Sequence, residues 1–103
     1  MSVRIVFAVE AKVQLLELDT WWRENRQAAA SRVDDEVTRL VALLRKTPDI
    51  GAPYRRRGQK HVRWLHLNGT PYKLYYRHEP GADLVTIAAV WSGVRRFGPP
   101  LPR

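Results

Sequence analysis

The chain of 103 residues contains no cysteine, which removes disulfides, thiolate metal sites and thiol nucleophiles together and suits a reducing compartment. No apolar run approaches the ~18 residues that a membrane span requires. Residues 1–7 also lack the apolar segment and small-residue cleavage site of a signal peptide. A soluble, cytoplasmic protein with no membrane partner is therefore expected. Histidine is scarce: His61, His66 and His78 have no carboxylate at ligand spacing. His61 and His66 fall on opposite faces of a shared strand, so no metal and no cofactor is expected. The most telling deficit is of acidic residues. Residues 1–50 hold eight Lys and Arg against eight Asp and Glu, whereas residues 51–103 hold ten against two, so the whole formal +8 lies in the second half. A one-sided field of this kind favours a polyanion or an acidic protein segment as partner; the alternative is a solvated basic face that only maintains solubility.

A chain of this length makes one domain, 1–103, with a single core between two layers of secondary structure. The stretch 61–96 is its organising part. β-Branched and aromatic residues in alternation predict strands over 61–67, 72–78 and 84–91, joined by the turn formers Asn68-Gly69-Thr70-Pro71 and Glu79-Pro80-Gly81-Ala82. In the middle strand Tyr72, Leu74 and Tyr76 face one side, while Lys73, Tyr75 and Arg77 face the other. In the last strand Val85, Ile87, Ala89 and Trp91 are expected on one side and Leu84, Thr86, Ala88 and Val90 on the other. Neither side carries charge, as befits a strand covered on both faces.

Before this stretch, Val3, Ile5 and Phe7 alternate with Arg4 and, as the one misfit, Val6, and predict a short strand over 3–7. The period then changes. Ala8, Ala11, Leu15, Leu18 and Trp22 form one helical stripe, with Glu10, Lys12, Gln14, Glu17 and Asp19 outside it, and this helix should end near Asn25. A second helix carries Ala30, Val33, Val37, Leu40, Val41 and Leu44, with Asp35 and Arg39 as an i,i+4 pair. Asp34, Asp35 and Glu36 fan out around this helix and read as a solvated face. Thr47-Pro48 ends it, because proline disfavours the helical conformation in the residue before it. The two helices make an antiparallel hairpin whose stripes cover one face of the sheet. The fold expected is α+β: a strand, a helix hairpin, then a three-stranded antiparallel meander.

Residues 48–60 read as a connecting loop that holds Tyr54-Arg55-Arg56-Arg57-Gly58, a pattern suited either to phosphate contact with stacking or to a solvated loop. The proline-rich tail after Arg96 should run extended along the surface. Trp21, Trp22, Trp64 and Trp91 are expected in packing roles, with Trp64 the one partly exposed. Tyr75, between Lys73 and Arg77, is either a partner contact or a cover for their stems.

Four local patterns, in this order, resemble the RelE/ParE toxin superfamily of bacterial type II toxin–antitoxin systems. Trp21-Trp22-Arg23-Glu24-Asn25 is similar to the end of the family's first helix, and Leu43-Leu44-Arg45-Lys46-Thr47-Pro48-Asp49-Ile50-Gly51-Ala52-Pro53 to its helix-to-loop exit. Tyr72-Lys73-Leu74-Tyr75-Tyr76-Arg77 is similar to the central strand, and Val90-Trp91-Ser92-Gly93-Val94-Arg95-Arg96 to the final strand and its basic end. The resemblance spans nearly the whole chain. It implies a RelE/ParE-like fold and a cognate antitoxin partner, in a toxin–antitoxin hetero-oligomer.

Two activities follow from the two branches of that superfamily. The RelE branch cuts mRNA on the ribosome, which needs a proton acceptor for the 2′-hydroxyl, a cation for the phosphate and a proton donor for the leaving oxygen. On that reading Arg63, Lys73, Arg77 and Arg95 are the candidate catalytic residues. The ParE branch poisons DNA gyrase and lacks that set. Here Arg63 is the only strong cation in its strand, and Phe97, not tyrosine, follows Arg96. Together with Gly69-Thr70-Pro71 and the proline-rich end, this resembles the ParE branch more closely. The residues then expected at the target or nucleic-acid surface are Arg55, Arg56, Arg57, Lys73, Tyr75, Arg77, Arg95 and Arg96, with Arg95 and Arg96 foremost. A degenerate relative that only binds its antitoxin or DNA is the third reading.

Overall fold

The computed structural model describes residues 2–93 and 98–101. Arg95 and Arg96 lie outside the described residues. Strand β1 (Arg4–Phe7) is followed by helix α1 (Val9–Asn25), a short 3₁₀ turn (Gln27–Ala29) and helix α2 (Arg32–Lys46). Strands β2 (Ala52–Pro53), β3 (Val62–His66), β4 (Tyr72–Arg77) and β5 (Leu84–Ser92) complete the chain order. They form one five-stranded sheet in the order β1-β5-β4-β3-β2, with β1 parallel to β5 and the other pairings antiparallel. The expected architecture holds, with one addition: the loop after α2 contributes β2, which pairs Ala52 with Trp64 and Pro53 with Arg63.

Both helices lie on one face of this sheet, and their stripes explain why. On α1, Ala11 and Trp22 are buried and Leu15 and Leu18 pack beside them; on α2, Val33, Val37, Leu40 and Leu44 are buried. The hairpin closes where the Trp22 indole N–H donates to the Ala29 carbonyl, 2.8 Å, and Ala30 belongs to this connection, not to α2. The expected Asp35–Arg39 pair does not form. Arg39 instead pairs with Glu36 at 2.9 Å, while Asp35 accepts from the Ser31 hydroxyl. Glu36 is more than solvated charge, because it also accepts the Asn68 N–H at 2.7 Å and so ties α2 to the β3–β4 turn. In that turn Gly69 adopts φ +75, a conformation that costs glycine no Cβ clash.

Opposite the helices, Tyr72, Leu74 and Tyr76 point into the core, as alternation predicts. The parity of β5 breaks part-way. Tyr75 pairs with Ala89 but Tyr76 pairs with Ile87, leaving Ala88 as an extra residue. A bulge of this kind turns every later side chain over. Val85 and Ile87 therefore share the helix-side core with Val90, whereas Ala89 and Trp91 point to the other face. β1 stops at Phe7, so β5 loses its neighbour there. The Val90 N–H, which would otherwise be unsatisfied, donates to the Gln14 side-chain oxygen on α1 at 2.9 Å. Gln14, expected to be outside the stripe, is thus a half-buried bridge between layers.

Candidate functional site

The face of the sheet away from the helices is built from three cross-strand rows. His66, Lys73 and Trp91 form the first, Trp64, Tyr75 and Ala89 the second, and Val62, Arg77 and Thr86 the third. The second and third rows are partly covered, with Trp64, Arg77 and Thr86 half-buried. Val62, Tyr75 and Ala89 are buried in a small second core with Tyr54, Trp64, Trp91 and Leu101. Tyr54 meets Tyr75 edge-on, with ring centroids 4.9 Å apart. The tail does not simply trail over the surface: Pro99 is buried, and the Leu101 carbonyl accepts from the Gln59 amide at 3.2 Å. The oxygen of the same amide accepts from Arg77 at 3.1 Å. Gln59, a loop residue with no distinguishing sequence signal, is buried at this junction.

These contacts sort the expected site residues. Tyr75 is 5 % exposed, and burial, with Tyr54 adding to it, raises its phenol above the ordinary tyrosine value; it is a packing residue, not a surface contact. Arg77 lies on the expected face, bound to Gln59. Arg63 does not join it, because it pairs with Tyr76 and so faces the helix side. There it donates to the Gly51 carbonyl at 2.8 Å and stands 3.9 Å from the Asp49 carboxylate. Arg55, Arg56 and Arg57 are exposed on the loop, with the Arg56 guanidinium 6.0 Å from the Tyr54 ring centre.

The first row forms an accessible corner. The Lys73 ammonium sits 3.9 Å from the Trp64 ring centre, an attraction between cation and ring quadrupole. His66 is exposed, and its Nε2 lies 2.6 Å from the Thr70 carbonyl, so that nitrogen is the donor of this hydrogen bond. The Gly93 N–H donates to the Pro71 carbonyl at 2.6 Å. A side chain at Gly93 would crowd the Pro71 carbonyl, at 3.1 Å, and touch the Lys73 stem, at 3.4 Å from its Cε. Arg95 and Arg96 follow in sequence after Val94. Trp64 and Trp91 are partly exposed, but the most exposed of the four tryptophans is Trp21, at 44 %. Its ring centre lies 5.3 Å from the Arg26 guanidinium. Among the described residues no group of three or more His, Asp or Glu could hold a metal ion.

A second surface lies on the helices. Val9, Val13 and Leu16 form an outward stripe on α1, exposed at 70, 52 and 68 %, with Val6 of the edge strand 41 % exposed. Leu16 borders an open groove of about 340 Å³ that is also lined by Phe7, Lys12, Leu15, Asp19 and Asp34. The spacing of three and four residues that marks this stripe was present in the sequence, alongside the inner one.

The sequence model for the ParE toxin of the type II toxin–antitoxin system parDE matches residues 5–97. The chain belongs to the ParE toxin family. Solved structures share the fold. A chain of the chromosomal ParDE toxin–antitoxin system from P. aeruginosa is 16% identical, with 88% of this chain and 96% of that one covered and a TM-score of 0.70. The E. coli toxin RelE, in the free state of a double arginine mutant, is 17% identical, with coverages of 91% and 86% and a TM-score of 0.59. No curated protein matches the sequence significantly. Among the described residues of this ParE family member, no helix is long and apolar enough to cross a membrane.

Proposed function

We propose that this ParE family member is a toxin that inhibits DNA gyrase and is neutralised by a cognate antitoxin. The observation that carries the choice of target is the dispersal of the candidate ribonuclease set. Among the described members of that set, Arg63 faces the helix side, Arg77 is engaged with Gln59 and Lys73 stands at the accessible corner. Arginine keeps its proton near neutral pH, so neither Arg63 nor Arg77 substitutes for a missing acid or base. The basic run Arg95-Arg96, which follows Gly93 and Val94 in sequence, supplies the target contact.

The antitoxin reading draws on the outward stripe of α1. An amphipathic segment laid on Val9, Val13 and Leu16 would bury apolar area that otherwise faces water, while acidic side chains beside it meet the basic half of the toxin. One observation favours a second reading, a ribosome-dependent endoribonuclease. His66 and Lys73 are cross-strand partners, which sets an imidazole, the commonest general acid or base, beside a cation that can hold a phosphate. Purified protein added to programmed ribosomes decides between them. No cleavage of the bound message is expected; cuts in codon register that vanish in His66→Ala and in Lys73→Ala would replace the gyrase reading.

A further inference from the structure

At the end of the sheet far from Lys73, a polar recess of about 160 Å³ is lined by Asp49, Pro53, Lys60, His61, Arg63 and His78, among others. Its charge is set by hydrogen bonding. The His78 side chain is only 8 % exposed. Its Nδ1 lies 2.7 Å from an Asp49 carboxylate oxygen and its Nε2 2.8 Å from the Ala82 carbonyl. Both neighbours are acceptors, so only the imidazolium satisfies both, and the hydrogen bond to Asp49 is the largest cause of the raised His78 pKa. Arg63 spends one donor on Gly51 and has others to offer. With Lys60, the recess wall carries three cations and one anion, a surplus of two, before His61 is counted.

We propose that this recess binds a single phosphate group, as a phosphate monoester or free phosphate. A dianion matches the surplus charge, and the planar donor fork of Arg63 suits its oxygens. The volume corresponds to roughly five waters: room for one tetrahedral oxyanion, not for a nucleoside as well. A terminal phosphate therefore fits better than a strand threaded through. This site is separate from the Lys73 corner and independent of the toxin's target.

The test follows backbone amide NMR shifts of the isotopically labelled protein as inorganic phosphate replaces chloride at constant ionic strength. Saturable shifts are expected at residues 49–52, 60–63 and 78–79. Lys60→Gln, on an exposed stem, should weaken binding about tenfold, the worth of one charge-assisted hydrogen bond. Measured at a pH of about 5.5, below the ordinary histidine value so that His78 holds its proton with either partner, Asp49→Asn, whose amide oxygen still accepts from His78, should strengthen it by removing the opposing charge. A general loss of structure cannot produce these opposite signs. A short 5′-phosphorylated oligonucleotide that moves the same amides, when its 5′-hydroxyl counterpart does not, assigns the phosphate to a nucleic-acid end; saturation by inorganic phosphate alone assigns it to free phosphate. Shifts that stay linear in phosphate, or that are unchanged by both substitutions, overturn the site.

Discussion

Replacing Tyr76 by phenylalanine removes one oxygen from the interior and leaves the ring in place. Tyr76 is fully buried, and its hydroxyl accepts the Gly51 N–H at 2.9 Å. The Gly51 carbonyl in turn takes the Arg63 guanidinium at 2.8 Å. This one glycine therefore fastens the loop that leads into the basic arm. The substitution creates no large cavity, so the cost comes from a buried amide left without a partner, about 1–3 kcal/mol. In a domain of this size each kcal/mol moves Tm by about 4–8 °C. Urea unfolding followed by tryptophan fluorescence should show the midpoint falling with an unchanged slope. Gly51 has no room for a side chain either, since an added Cβ would meet the Tyr76 hydroxyl at 2.7 Å and the Trp64 carbonyl at 2.9 Å. Gly51→Ala should thus cost about 1–3 kcal/mol by overpacking. In the double variant the effects should fall short of their sum, because the lost hydroxyl makes part of that room. A Tyr76→Phe change within about 0.5 kcal/mol of wild type, the range of an inconsequential surface substitution, would refute this anchoring of the loop.

The raised His78 pKa predicts a pH dependence: its stabilising contribution is fully present below the ordinary histidine value near 6.5 and is lost as pH rises through the raised folded value. Unfolding midpoints should decline over that window in wild type and decline less in His78→Gln. Replacing Arg55, Arg56 and Arg57 together by alanine should leave the fold intact and weaken binding to the acidic antitoxin or polyanionic target, with a shallower salt dependence by titration across a salt series. Leu16→Asp, on the exposed α1 stripe, should weaken antitoxin binding by roughly tenfold or more if it occupies the centre of that interface, and calorimetry measures this without depending on toxicity.

Much of the fold was legible because periods of two and of three to four residues carry most of the packing information. Tyr72, Leu74 and Tyr76 alternate so regularly that their burial was readable, and Val33, Val37, Leu40 and Leu44 gave α2 the same clarity. The β5 bulge was not legible. Ala88 and Ala89 are small enough for either face, so nothing in the run 84–91 marks the extra residue that turns over Ala89 and Trp91 relative to Val85 and Ile87. β2 is two residues long, too short for any period. Contacts remote in sequence were the other gap: His78 with Asp49, Arg63 with Gly51, and Gln59 with both Arg77 and Leu101 arise only when the loop folds back on the sheet. That Arg63 does not share a face with Lys73 and Arg77 was not legible either, since it depends on the β3–β4 register, which sets Arg63 opposite Tyr76 on the helix side. The outer stripe of α1 was readable, and it is the surface on which the antitoxin reading now rests.

Incubation of the purified protein with DNA gyrase and supercoiled plasmid, followed by detergent and protease treatment, tests the proposed activity most directly. Linear plasmid should accumulate only when both gyrase and the toxin are present, should disappear when the antitoxin is added, and should be lost in the Arg95→Ala/Arg96→Ala variant. Soluble, folded protein that leaves plasmid topology and gyrase cleavage unchanged would contradict the account.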